Sequence, residues 1–429
     1  MSNALPSALA APVIGRTHKL SLLIALYLAQ GLPYGFFTQA LPVLLREAGY
    51  SLKAISAMSL LYLPWALKFL WAPYLDHLGT RKQWLLLWQI SSVCAALLLT
   101  RLDLGHGYTI VLAAAFVFNI IAASQDIVTD GLAVRILDSQ ERGLANGIQV
   151  GAYRLGMILG GGLLLWIFAK TDWATMFFCM ALLLALTIIP VVSMSDAPRA
   201  CGPPPRLREL LVGWLRRMLM PGMLAFAGLI FCYRFGDAMV SNILGPFLRD
   251  AGLSKETIAL MKGTVGSVTS LAGALLGGWF MFRVSRRNAL LITGLAQAAT
   301  FILYIVAALG IGGIQLLWTA TILEGVIGTT ATVALFTLMM DASDPEHAGT
   351  DYTLFASFFV LVNAVGTFCS SVIADAAGYA PAFVTGTVLA ALGCITLVRV
   401  LDRKPVPERV AKAWLLTSNG KGAGEGTTH

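Results

Sequence analysis

The chain of 429 residues is 57% hydrophobic and only 12% charged, with a mean hydropathy of +0.77. An average soluble domain carries about 25% charged residues, so too few charges are present to coat soluble cores. An ordinary soluble enzyme, a nucleic-acid binder, a disordered chain and a disulfide-rich secreted module are all poor fits, and a polytopic membrane protein remains.

A membrane span needs about 20 mostly apolar residues. Twelve such stretches follow one another: 20–45, 54–75, 84–100, 107–134, 147–168, 174–195, 220–247, 258–281, 289–309, 314–340, 352–376 and 382–401. The hydrocarbon admits helices that close their own backbone bonds. The roughly 10-residue alternating segments of a β-barrel are missing. The expected class is therefore an all-α integral membrane protein of twelve transmembrane helices.

The net charge of +8 is explained by where the charges sit. With the N-terminus placed in the cytoplasm, twenty of the thirty lysines and arginines fall in cytoplasmic segments and six on the opposite side, as the positive-inside bias requires. Both termini are then cytoplasmic, and no nucleic-acid partner is needed. Five of the six cysteines (Cys94, Cys179, Cys232, Cys369 and Cys394) lie in apolar runs, and Cys201 lies in a polar linker. No CxxC or zinc-type spacing occurs, so neither a disulfide framework nor a metal site is indicated. No cofactor is expected.

An internal repeat divides the chain. Residues 41–58 (LPVLLREAGYSLKAISAM) and 244–261 (LGPFLRDAGLSKETIALM) share Leu41/Leu244, Leu45/Leu248, Arg46/Arg249, Ala48/Ala251, Gly49/Gly252, Ser51/Ser254, Ile55/Ile258 and Met58/Met261 at one constant offset. Each copy joins the first and second spans of a six-span half. The expected organisation is an N-terminal half over 1–195, a linker over 196–219, a C-terminal half over 220–403 and a disordered tail over 404–429. In the linker, Pro203–Pro205 stop any helix, and RLRELLVGWLRRMLM then reads as an amphipathic helix on the cytoplasmic surface, tethering the halves. The opening residues faintly resemble a signal-cleavage site, but they precede the apolar run instead of following it.

Eight charged residues fall within spans: Lys68, Asp126, Asp130, Arg154, Arg234, Asp237, Lys262 and Glu324. Each is costly in hydrocarbon unless paired or wetted, which marks it as functional or as part of a fixed ion pair. Asp126 and Asp130 share one helix face at i, i+4, an arrangement that suits a proton carrier. Arg234 and Asp237 can pair at i, i+3. Tyr27, Gln30, Tyr34 and Thr38 form a polar stripe in the first span, which reads as a cavity wall or as a helix–helix seam.

After the second span the chain reads Asp76-His-Leu-Gly79-Thr-Arg81-Lys82, and after the eighth Phe282-Arg283-Val-Ser285-Arg286-Arg287. Both resemble the loop motif of the major facilitator superfamily, in which an acid and basic residues brace the cytoplasmic side. That resemblance assigns Asp76, Arg81, Lys82, Arg283 and Arg286 to a cytoplasmic gate. Phe282 stands where the second acid belongs, so the gate should be asymmetric.

Ala29-Gln30-Gly31-Leu32-Pro33, Lys68–Pro73, Ser124-Gln125-Asp126-Ile-Val-Thr-Asp130, Tyr153-Arg154-Leu-Gly156-Met157, Tyr233-Arg234-Phe-Gly236-Asp237, Lys262 and Glu324-Gly325 together resemble the AmpG-like branch of that superfamily. The resemblance covers about residues 20–400. It implies the major facilitator fold and a bacterial inner-membrane secondary importer that works by alternating access, expected as a monomer. Tyr27, Gln30, Tyr34, Lys68, Gln125, Arg154, Arg234 and Lys262 would line the substrate cavity. Asp126, Asp130, Asp237 and Glu324 would couple protons, with Asp126 first. The compact length and the opening from Gln30 to Pro42 resemble the branch's siderophore permeases, so a ferric siderophore is the expected substrate, with an anhydro-muropeptide as the alternative. A non-transporting sensor of the same fold is a further reading. The histidines show no metalloprotease spacing and no P-loop is present, so neither an enzyme nor an ATP motor is expected.

Overall fold

The computed structural model describes residues 15–50, 58, 61, 63–102, 107–195, 207–404 and 406–414. The opening residues, Pro203–Pro205, most of the end of the first repeat copy and the residues after 414 lie outside the described ones. Among the described residues eleven helices are long and apolar enough to cross a membrane: α1 (Thr17–Ala40), α3 (Arg81–Leu99), α4 (Thr109–Ile136), α5 (Ser139–Lys170), α6 (Trp173–Val192), α7 (Pro221–Asp250), α8 (Leu260–Arg283), α9 (Arg286–Ala308), α10 (Gly313–Ala342), α11 (Pro345–Ala377) and α12 (Tyr379–Arg403). Between α1 and α3, residues 63–77 form a broken helix, α2. We call α1–α6 the first half, α7–α12 the second, and the end at which the arginine-rich loops gather the basic end.

The expected second span over 54–75 is interrupted in its described part. Its described part is three short pieces, Leu63–Leu67, a 3-10 turn at Lys68–Leu70, and Ala72–His77. Pro73 is the cause: it lacks an N–H and its ring collides with the carbonyl four residues back, so the α-helix cannot run through Leu70 and Trp71. Lys68 consequently sits in a 3-10 turn.

The repeat has a structural reason. Gly49 and Gly252 both take left-handed backbone, at φ +84° and +87°, which costs a glycine nothing. Tyr50 N–H donates to the Leu45 carbonyl at 3.0 Å and Leu253 N–H to Leu248 at 3.2 Å, the six-to-one bond of a Schellman stop. The basic-end loops repeat too. Thr80 Oγ1 accepts from Gln83 N–H at 3.2 Å to start α3, and Ser285 Oγ from Asn288 N–H at 3.4 Å to start α9.

Packing within the first half depends on close approach of α1 and α5. A Cβ on Gly160 would lie 1.9 Å from the Leu32 carbonyl oxygen, a contact only glycine permits. Between the halves, α5 packs on α8 and α10, α4 on α11, and α2 on α11. One buried apolar cluster joins Ala133 and Val134 of α4 to Leu338 and Met339 of α10.

The linker forms a helix at Leu207–Met218. Its Trp214 stacks on Phe69 of α2 at 5.8 Å, while Arg217 pairs with Asp351 of α11 at 2.7 Å. The tail is not wholly disordered as expected, because Arg409–Trp414 is helical. Trp414 Nε1 donates to Asp402 at 3.0 Å and Arg409 pairs with Asp344 at 3.0 Å.

Candidate substrate cavity and gate

The basic end is bolted across the halves. Asp76, at the end of α2, accepts from Arg81 at 2.8 Å through Oδ1. Its Oδ2 accepts from the backbone N–H and the hydroxyl of Thr350, both at 3.1 Å. Thr350 lies in the first turn of the helix that starts at Ala348, where free N–H groups and the helix dipole favour a negative charge. Asp76 therefore caps a helix of the opposite half.

The second half solves the same problem differently. With Phe282 in the acid's place, Arg286 pairs with Asp341 at the end of α10, at 2.9 Å. The same carboxylate takes Arg142 of α5, also at 2.9 Å, and its side chain is fully buried. Arg286 also donates to the Ser139 carbonyl across the interface. Arg135 reaches the Glu346 carbonyl at 3.0 Å. Asp341 and Arg142 were missed in the sequence, where both fall outside the expected spans. Of the other expected gate residues, Lys82 donates to the Val192 carbonyl of its own half at 2.6 Å, and Arg283 is exposed.

Beyond this closed end lies a cavity of about 360 Å³ between the halves. Tyr27, Gln30, Tyr34, Trp65, Tyr153, Phe336, Tyr352 and Phe359 give it largely aromatic walls. Tyr34 packs edge-on to Trp65 at 5.8 Å and against Tyr153 at 5.5 Å. Lys68 contacts Asp126 and lies 5.6 Å from the Trp65 ring centre. Tyr27 donates to Asp130 at 2.9 Å. The carboxamide of Gln30 is buried with no partner for either of its ends among the described residues.

A second chamber of about 250 Å³ opens within the second half. It is lined by Arg234, Asp237, Ser241, Lys262, Gln297, Tyr304 and Glu324, and it shares Arg154, Arg234 and Thr332 with the first. Asp237 is held by Arg234, by Gln297 and by Ser241 at 3.1 Å. Ser241 also reaches Glu324 at 3.3 Å. The Arg234 guanidinium lies over the Phe359 ring of α11 at 4.5 Å.

At 1.5 Å per residue from the basic end of each helix, the charges form a ladder along the membrane normal. Asp130 stands about 9 Å in, Asp126 about 15 Å, Arg234 about 20 Å, Arg154 about 23 Å, Asp237 about 24 Å, Glu324 about 27 Å and Lys262 about 32 Å. The structure thus brings together eleven of the twelve residues expected for cavity and coupling. Gln125 is the exception. It is buried but one step round the α4 face from Asp126, and it lines neither chamber.

A family model described as Major Facilitator Superfamily matches residues 22–228 and again 226–418. A Haemophilus influenzae protein of uncharacterized function is 30% identical over 400 residues, covering 87% of this chain and 92% of its own. The anhydromuropeptide permease of Escherichia coli K12 is 30% identical over 345 residues, 79% of this chain and 70% of the permease. Among solved structures, the human organic anion transporter MFSD10 superposes with a TM-score of 0.71 at 15% identity, over 89% of this chain and 99% of its own. The chain belongs to the major facilitator superfamily of transporters, in its AmpG-like branch.

Proposed function

We propose that this chain is a proton-driven importer of anhydro-muropeptides in a bacterial inner membrane, with its basic end in the cytoplasm. The similarity to a relative named for that substrate, at 30% identity over 345 residues, carries the reading. The expectation of a ferric siderophore rested on compact length and on the opening from Gln30 to Pro42. The anhydro-muropeptide alternative replaces it, because the relatives favour it. The cavity chemistry agrees: aromatic walls suit sugar rings, and Arg154 and Arg234 suit carboxylates.

The basic end is shut by bonds on Asp76 and Asp341, and on this reading substrate enters from the opposite side. Import then requires those bonds to break and the far ends of the halves to close. Asp126 is the first candidate proton carrier. Lys68 at its side would be released on protonation, linking proton uptake to a cation that lines the cavity. Counterflow exchange of labelled anhydro-muropeptide in proteoliposomes tests the substrate directly. Exchange competed by unlabelled compound supports the reading, and its absence in folded protein overturns it.

A further inference from the structure

An anhydro-muropeptide has a mostly neutral sugar portion and a peptide with free carboxylates and an amine. The two chambers differ in the same way. The one between the halves is walled by rings and carries the unpartnered amide of Gln30, which can donate to and accept from hydroxyls.

The one in the second half holds three cations, Arg154, Arg234 and Lys262, against two carboxylates, Asp237 and Glu324. Asp237 already has three partners. Among the described residues Arg154 has only the Met157 sulfur, at 3.9 Å. Lys262 has no ion pair among the described residues. Glu324 has a single weak bond among the described residues, to Ser241 at 3.3 Å. This chamber therefore offers two cations that need carboxylates and one acid that can take an ammonium. Unpaired charges at this depth are costly, so a ligand that pairs them gains affinity.

Resting on the permease reading above, we propose that the chambers are separate subsites of one ligand. The ring-lined chamber takes the anhydro sugar, and the charged chamber takes the peptide, whose carboxylates go to Arg154 and Lys262 and whose ammonium goes to Glu324. The spacing agrees. Arg154 and Lys262 stand about 9 Å apart along the helix axes, within the reach of about three extended residues at 3.3–3.6 Å each. Thr332, shared by both chambers, marks the passage where sugar and peptide would join. Lys262 and Glu324 are then determinants of peptide recognition.

The test is competition in proteoliposome counterflow by three compounds: the peptide-free anhydro-disaccharide, its tripeptide conjugate, and that conjugate with its carboxylates amidated. In the unaltered protein, amidation is expected to weaken competition at least about tenfold. Lys262→Gln should lose at least about tenfold more affinity for the conjugate than for the peptide-free sugar, and should shrink the amidation effect to the share that Arg154 carries. Equal competition by the free-acid and amidated conjugates overturns the proposal without any variant. An equal loss for all three compounds in Lys262→Gln also overturns it. If no compound competes in folded protein, the permease reading fails as well, which separates the two failures.

Discussion

Asp76 of the first half and Thr350 of the second are joined by two hydrogen bonds of 3.1 Å, from the backbone N–H and the hydroxyl to one carboxylate oxygen. The other oxygen takes Arg81. A carboxylate at a helix N-terminus is bound by charge-assisted bonds, and its neutral amide analogue is not. Asp76→Asn should lose about 2 kcal/mol of closure, roughly 30-fold in the ratio of closed to open basic ends. Spin labels at the exposed Ser193 and Lys404 would read this as a longer distance population. An unchanged distribution would remove Asp76 from the gate.

Asp341 should matter more for folding than for gating alone. It is the shared partner of Arg142 and Arg286, at 2.9 Å each, with its side chain fully buried. Asp341→Ala leaves two guanidinium groups in a closed interface, a loss of about 3–5 kcal/mol. Thermal unfolding in detergent should show a clear drop in Tm, and Asp341→Asn, which still accepts hydrogen bonds, should fall between. A variant as stable as the parent would contradict the shared ion pair.

Two neighbouring glycines should part company. Gly160 has no room for a methyl group against the Leu32 carbonyl at 1.9 Å, whereas Gly162 has nothing within 4 Å. Gly160→Ala is expected to disrupt the α1–α5 crossing and lower the yield of folded protein. Gly162→Ala should be neutral or stabilising by up to about 1 kcal/mol. Monodispersity and Tm of the two variants decide it.

The clasp that holds the linker should be insensitive to pH near neutrality. Burial alone would raise the Asp344 carboxyl, but the Glu346 N–H, Arg409 and Arg217 outweigh it and hold it below the usual carboxylate range. Asp351 and Asp344 raise Arg217 in turn. A depressed carboxylate contributes stability above its unfolded pKa and loses it as pH falls through the folded one. The clasp is therefore complete at any pH above about 4 and loosens only in stronger acid. Proteolysis of the linker should be flat from about pH 5 to 8 and should rise in Arg217→Ala. Linker cleavage that rises between pH 8 and pH 5 would contradict this.

Much of the architecture was legible because the bilayer makes hydropathy decisive, and because Gly49 and Gly252 repeat a stop that only certain residues can make. The break at Pro73 was present in the sequence but hidden by the apolar residues around it. In-span charges such as Asp126 and Arg234 stood out by cost alone, and Arg234 found Asp237 at short spacing. Asp341 and Arg142 were not recoverable that way. Each falls outside the expected spans, where charge is ordinary, and their pairing across 199 residues exists only once the halves close. Gln125 failed for a local reason, since one residue on a helix turns a side chain about 100° away from its neighbour.

The most direct measurement is pH-gradient-driven uptake into proteoliposomes, with an anhydro-muropeptide and a ferric siderophore offered side by side to the parent protein and to Asp126→Asn. The account predicts uphill accumulation of the muropeptide alone, collapsed by a protonophore, and an Asp126→Asn variant that still exchanges substrate but no longer concentrates it. Accumulation of the siderophore instead, or undiminished accumulation by Asp126→Asn, would contradict it.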